Sequence, residues 1–201
     1  MTDHHIIIGL TGGIGSGKSS AAHIFAKKEI PVLDADFFSR NALETGTDCY
    51  YKTVELFGRE CLNSDGSINR KYVAELVFSD ISLREQLNAI IHPFVQTMLI
   101  DETKRLRSRF VVWEVPLLFE SGFDQECDVT VAVLCSEKIR IRRIMERDHV
   151  SRKQAKSRID AQLTDRQRKE KADYTIRNEG DLEQLEKKVI SLLEQLEAQY
   201  E

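Results

Sequence analysis

The 201-residue sequence predicts an α/β fold, a parallel sheet with helices on both faces. Two observations lead there. Residues 5–10 (HIIIGL), 30–33, 110–113 and 129–134 are short, nearly unbroken apolar runs, as expected of strands buried on both sides. The stretches between them carry apolar residues at helical spacing.

The first run is followed by residues 11–17, a glycine-rich segment that reads as a loop. From Lys18 onward, Ala21, Ile24 and Phe25 mark one face of a helix, and residues 30–33 then form a second strand ending at Asp34-Ala35-Asp36. Strand, helix and strand in this order make a right-handed βαβ unit. Residues 37–109 have helical period. Asp65-Gly66 reads as a turn, Asn69 as the cap of a helix holding Val73, Leu76 and Val77, and His92-Pro93 as a helix boundary. Residues 110–113, 129–134 and 174–176 supply the third, fourth and fifth strands. A last helix, about 182–200, carries Leu182, Leu185, Val189, Leu192, Leu193 and Leu196 on a stripe that packs on its own core or on a partner.

Composition excludes several classes. At 41% apolar and 31% charged residues the chain is no disordered or low-complexity protein. No apolar run is long enough to span a membrane, and residues 1–5 (MTDHH) lack the basic start of a signal peptide. Four cysteines without a CxxC pair read as reduced thiols in the cytoplasm. A net charge of −4 gives no global reason to bind nucleic acid. That average hides a basic segment: residues 138–171 hold 13 Lys/Arg against 5 Asp/Glu.

Gly12-Gly13-Ile14-Gly15-Ser16-Gly17-Lys18-Ser19 fits G-x-x-x-x-G-K-[ST] at every fixed position, between a strand and a helix as that pattern requires. Glycines let backbone N–H groups curl around phosphates, and the helix start adds open amides and the positive end of its dipole. Lys18 reaches the outer phosphates and the Ser19 hydroxyl ligates Mg²⁺. Such a loop alone is common to motors, GTP switches and small-molecule kinases. The chain has no Asn-Lys-x-Asp element and no repeats, which favours the kinases.

A kinase also needs a carboxylate near the γ-phosphate, and parallel sheets gather ligands beyond the carboxyl ends of their strands. Asp34 and Asp36, two apart in an extended segment, fall there. Asp36 is the candidate to accept the proton of an attacking hydroxyl or hold that hydroxyl in line, and Asp34 the candidate helix cap. Glu114, after the third strand, is a candidate to hold Mg²⁺ through water, and Glu120 ends the segment 115–119, whose residues read as an apolar wall of core or pocket lining. Arg140, Arg143 and Arg147 share one helix face, with Ile141, Ile144 and Met145 beside it, and can close over phosphates; the rival is a solvated helix. Arg152, Lys153 and Lys156 read as solvated.

Several strings together resemble the dephospho-CoA kinases: Gly9 to Ser19, Asp34-Ala35-Asp36, Asp65-Gly66 with Asn69-Arg70, Ile91-His92-Pro93, Val115-Pro116-Leu117-Leu118-Phe119-Glu120, Arg147-Asp148 with Ser151, Arg158-Ile159-x-Ala161-Gln162, Ala172-Asp173-Tyr174 and Asn178-Glu179-Gly180. That family's loop usually ends Lys-Ser-Thr, where this chain has Ser20. The resemblance implies a three-layer P-loop kinase core (about 1–36, 110–136 and 172–201), a helical substrate-binding insertion (about 37–109) and a lid (about 137–171). It also implies transfer of the ATP γ-phosphate to the ribose 3′-hydroxyl of dephospho-CoA, the last step of coenzyme A synthesis, with Mg²⁺. Asp36, Lys18 and Arg143 become catalytic. Gly13 to Ser20 (Gly13, Ile14, Gly15, Ser16, Gly17, Lys18, Ser19, Ser20) and Arg147 hold ATP, and Ser19 holds the metal. Thr11, Asp36, Arg70 and His92 fall in the motifs for the acceptor. The alternatives are a kinase for a nucleoside, nucleotide or shikimate-like alcohol, a nucleotide-sensing module, and a basic RNA-binding protein, which the acidic remainder of the chain disfavours.

Overall fold

A computed structural model describes residues 5–201; the expectation that residues 1–5 lack a signal-peptide start falls largely on residues 1–4, outside the described residues. In chain order the elements are β1 (Ile6–Gly12), α1 (Lys18–Lys27), β2 (Val32–Asp34), α2 (Ala35–Ala42), α3 (Asp48–Phe57), α4 (Arg70–Ser79), α5 (Ile81–Arg105), β3 (Phe110–Glu114), α6 (Leu118–Ser121), β4 (Val129–Leu134), α7 (Glu137–Asp148), α8 (Arg152–Asp160), α9 (Asp165–Lys171), β5 (Tyr174–Arg177) and α10 (Leu182–Gln199). The chain divides into two compact units, one formed by the residues up to Leu33 with Leu106–Glu201, the other by Asp34–Arg105.

The first unit is built on a five-stranded parallel sheet in the order β2-β3-β1-β4-β5. β3 lies between β1 and β2, so the strands of the opening βαβ unit share the sheet without touching. Strand alternation sorts the side chains. Ile6, Ile8 and Leu10 of β1, with Phe110 and Val112 of β3 and Val129, Val131 and Val133 of β4, join one core with Ala21, Ile24 and Phe25 of α1. Leu185, Val189, Leu192, Leu193 and Leu196 of α10 complete it, so the leucine stripe packs on its own sheet, with Leu182 left outside and exposed. On the opposite face, a Cβ on Gly9 would lie 2.7 Å from Cys127 Sγ and 3.0 Å from Leu118. That close approach is why a glycine stands in mid-strand. Burial and the neighbouring Asp124 push the Cys127 thiol up to about 12, so it stays a neutral packing group.

β1 is longer than expected. Thr11 and Gly12, read as loop, pair with Ala132 and Val133 of β4, because the ladder continues until the chain must turn at the glycines. In the basic segment, Ser151 with Gln154 and Thr164 with Gln167 form reciprocal capping boxes that start α8 and α9. Ile141 and Ile144 of α7 pack on Ala155 and Ile159 of α8, whereas Met145, expected on that face, is exposed.

The second unit is helical, with α2, α3 and α4 against α5. Asp65-Gly66 turns as expected and Asn69 caps α4 by accepting from the Tyr72 N–H. His92-Pro93 is not a helix boundary: α5 runs 25 residues straight through Pro93. A proline inside a helix costs about 3 kcal/mol. Leu87, Ile91, Val95, Leu99 and Thr103, buried at intervals of four, outweigh that cost by burying one face on both sides of it. Among the described residues no helix is long and apolar enough to cross a membrane.

Candidate active site

Between β1 and α1 the backbone folds back on itself. The Ser16 N–H donates to the Gly13 carbonyl at 2.9 Å. Gly15 and Gly17 take φ of +77° and +92°, where a Cβ would strain the chain. Gly17 has a second reason to lack a side chain, because a Cβ there would lie 2.0 Å from Asn178 Nδ2. The first intrahelical bond of α1 runs from the Ala21 N–H to the Gly17 carbonyl, so the N–H groups of Lys18, Ser19 and Ser20 make no bond to a preceding turn of the helix.

At that mouth one carboxylate oxygen gathers two donors. Lys18 Nζ donates to Glu114 Oε1 at 2.8 Å and Ser19 Oγ to the same atom at 2.7 Å. The Lys18 and Glu114 side chains are only 13% and 12% exposed, so the pair is poorly screened by water. Glu114 is the last residue of β3, next to β1 in the sheet, which brings it to the loop from 96 residues away in sequence. Thr11, buried at the end of β1, donates its hydroxyl to the Pro116 carbonyl at 3.1 Å.

The basic segment grips the loop from its other side. Arg140 is neither solvated nor open to a ligand: it is buried, donating from Nε to the Ile14 carbonyl at 2.9 Å and from Nη1 to Asp165 at 3.0 Å. Asp165 also accepts from the Cys135 N–H at 3.0 Å. Arg143 Nη1 lies 3.3 Å from both the Gly15 and Ser16 carbonyls. Gln162 accepts from the Ile14 N–H at 2.8 Å, and Asn178 donates to the Ser16 carbonyl at 2.8 Å. Arg147, one turn further along α7, bonds Asp148 through Nε at 2.6 Å and Nη2 at 3.0 Å instead of the loop. Those bonds raise its already high pKa and lower that of Asp148. Arg168 is fully buried near Glu120 and Asp165, at 3.7 and 3.9 Å, and burial lowers its pKa. The structure therefore joins Lys18, Ser19, Arg143 and the glycine loop. Gln162, Asn178 and Asp165 carry no local pattern that marks them as loop contacts; the first two lie in strings shared with the dephospho-CoA kinases, the one signal that points to them.

In the second unit, Asp34 caps α2 by accepting from the Asp36 N–H at 2.8 Å, with Arg40 at 3.9 Å. The extended Asp34/Asp36 pair is thus corrected. The chain becomes helical at Ala35, and Asp36 stands exposed in the first turn of α2, where the helix dipole favours its charge. Arg70 opens α4 and donates to the Arg40 carbonyl in the last turn of α2 at 2.7 Å. His92 lies half-buried in α5, and burial lowers its pKa.

Comparison with known proteins shows the family. The model of the CoaE dephospho-CoA kinase family matches residues 6–184. The dephospho-CoA kinase of Lactobacillus johnsonii is 38% identical over 192 residues, 94% of this chain and 97% of that protein. That of Bacillus licheniformis is 40% identical over 192 residues, 94% and 96% of the two chains. The crystal structure of TT1252 from Thermus thermophilus superposes with a TM-score of 0.86 at 36% identity, covering 96% of this chain and 98% of that one. A phosphate-binding loop of this build, in a chain matched over nearly its whole length, has one consistent assignment: the protein belongs to the dephospho-CoA kinase family.

Proposed function

We propose that the protein transfers the γ-phosphate of ATP to the ribose 3′-hydroxyl of dephospho-CoA, releasing ADP and coenzyme A. The observation that carries this reading is the convergence of Lys18, Ser19 and Glu114 at the mouth of the glycine loop, in a chain of this family. In the transfer the hydroxyl oxygen bonds the γ-phosphorus as the bond to the β-bridging oxygen breaks. The hydroxyl proton passes to Asp36, whose role rests on the Asp-Ala-Asp string and on its place just after the carboxyl end of β2. Residues Gly13 to Ser20 hold the phosphates. Lys18 and Arg143 balance charge on the transferring group, and Arg147 approaches ATP on release from Asp148. Thr11, Arg70 and His92 belong with the acceptor on the strength of the family strings alone.

The oxygen donors of Ser19 and Glu114, 2.7 Å apart, suit Mg²⁺, a hard cation that takes carboxylate, hydroxyl and water ligands. When bound it supplies positive charge to the phosphate oxygens. Residues 137–171 act as the lid and 37–109 as the acceptor-binding part on this reading, with the core about 1–36, 110–136 and 172–201. The compactness of Asp34–Arg105 supports a separate acceptor unit. The cytoplasm is the proposed location, consistent with Cys49, Cys61, Cys127 and Cys135 standing as free thiols. Incubation with ATP, Mg²⁺ and dephospho-CoA, read by mass, should yield coenzyme A. Transfer instead to a nucleoside or shikimate-like alcohol, or ATP binding with no transfer, would overturn the assignment.

A further inference from the structure

The glycine loop contains one residue whose two backbone groups are both held by side chains from far along the chain. The Ile14 N–H, in the peptide plane shared with Gly13, donates to Gln162 Oε1 at 2.8 Å, and the Ile14 carbonyl, in the plane shared with Gly15, accepts from Arg140 Nε at 2.9 Å. Two consecutive planes at the tip of the loop are thereby fixed from outside it. They need to be. Each flanks a glycine, which has no Cβ to restrict rotation, and Gly15 must hold φ at +77°. Fixing one residue of backbone costs about 1–2 kcal/mol of conformational entropy, and a glycine costs the most.

The clamp is itself anchored. Arg140 is buried and ion-paired to Asp165 at 3.0 Å, and Asp165 accepts from the Cys135 N–H at the end of β4. A Cβ on Gly13 would come within 2.3 Å of Arg140 Nη2, so the guanidinium lies directly against the loop backbone. Gln162 sits in the short turn between α8 and α9, held by the capping box of Thr164 and Gln167 two residues later.

We propose that Gln162, acting with Arg140, is a positioning residue that sets the tip of the phosphate loop in its nucleotide-binding shape before ATP arrives. The inference rests on the phosphate-loop reading above. A loop ordered beforehand has its entropy cost met at folding and not at binding. Losing that order weakens ground state and transition state alike, which raises KM and leaves kcat in place.

The test is Gln162→Met, which keeps the length of the side chain and removes the acceptor, with Gln162→Ala as the second variant. Gln162 is half-exposed, so neither opens a core cavity. Losing one hydrogen bond of ordinary strength predicts KM for ATP, and the ATP dissociation constant by calorimetry, higher by about three- to tenfold. kcat and KM for the acceptor should stay within twofold. A lower melting temperature with unchanged ATP affinity would show a merely structural role and overturn the proposal, as would a loss confined to kcat. ATP affinity needs no acceptor, so this result is read even if dephospho-CoA proves not to be the substrate. Wild-type ATP affinity in both variants would defeat the clamp while leaving the proposed transfer intact.

Discussion

Replacing Glu114 by Gln tests the mouth of the loop, because one atom there serves two partners. Glu114 Oε1 accepts from Lys18 Nζ and Ser19 Oγ, and both members of the ion pair are nearly nine-tenths buried. Glutamine keeps an acceptor oxygen of the same reach and removes the charge. Hydrogen bonds to a charged group contribute about 1.5–3 kcal/mol each and neutral ones about 0.5–1.5, so two weakened bonds cost about 2 kcal/mol. For a chain of this size that lowers the melting temperature by about 4–8 °C in the absence of nucleotide. Binding carries an opposite signature. Without Mg²⁺, the variant loses a negative charge facing the triphosphate and frees Lys18, so ATP binds at least as tightly as to wild type. With Mg²⁺, the variant lacks a carboxylate to share the cation, so binding weakens. Thermal denaturation and calorimetric titration, each with and without Mg²⁺, read both effects. A melting temperature within about 1 °C of wild type would refute the energetic reasoning. An equal loss of affinity in both conditions would refute the metal-side role of Glu114.

Three further outcomes follow from other parts of the chain. Asp36→Asn should lower kcat by about 10²–10⁴ while ATP affinity is kept, read by steady-state kinetics beside calorimetry; wild-type turnover would remove Asp36 from the chemistry. Pro93→Ala should raise stability by about 1–3 kcal/mol in a denaturant titration, because α5 already runs through the position and alanine restores a donor for the Ala89 carbonyl; a lower midpoint would show that the ring is needed in place. For His92, burial holds the imidazole pKa below its ordinary value of 6.5, so the unfolded chain takes up the proton first as pH falls. Stability is therefore complete above about pH 6.5 and is lost as pH drops toward the folded pKa; His92→Gln should flatten that decline in melts between pH 7 and 5, and an unchanged slope would assign it to other groups.

What could be read from the sequence was set by the range over which each signal acts. The loop pattern is local: eight residues, a strand before and a helix after, each required by phosphate binding. It places Lys18 and Ser19 without reference to the rest of the chain. The strands were legible for the same reason, since burial on both faces leaves an unbroken apolar run. Pro93 was misread because the rule against proline is also local, whereas the burial of Leu87, Ile91, Val95 and Leu99 that outweighs it is summed along the whole of α5. Asp34 caps a helix as its type and position suggest, but the helix begins at once at Ala35, so Asp36, two residues on, is helical and not extended.

The three arginines of α7 show where spacing stops being informative. Positions 140, 143 and 147 share a helix face whatever the tertiary structure, and that much the sequence carries. Their fates differ because each stands at a different height along the helix. Arg140, in the first turn, reaches Asp165 and the Ile14 carbonyl and is buried; Arg143, one turn on, reaches the Gly15 and Ser16 carbonyls; Arg147, in the last turn, lies beyond the loop and takes the adjacent Asp148. A common face therefore does not imply a common function. Arg140, the one most deeply committed to the loop backbone, holds the cradle, and on the proposed function charge compensation on a bound triphosphate falls to Arg143 and Arg147. Substituting Arg140 should accordingly disturb the empty protein, while substituting Arg147 should be felt only once nucleotide is bound.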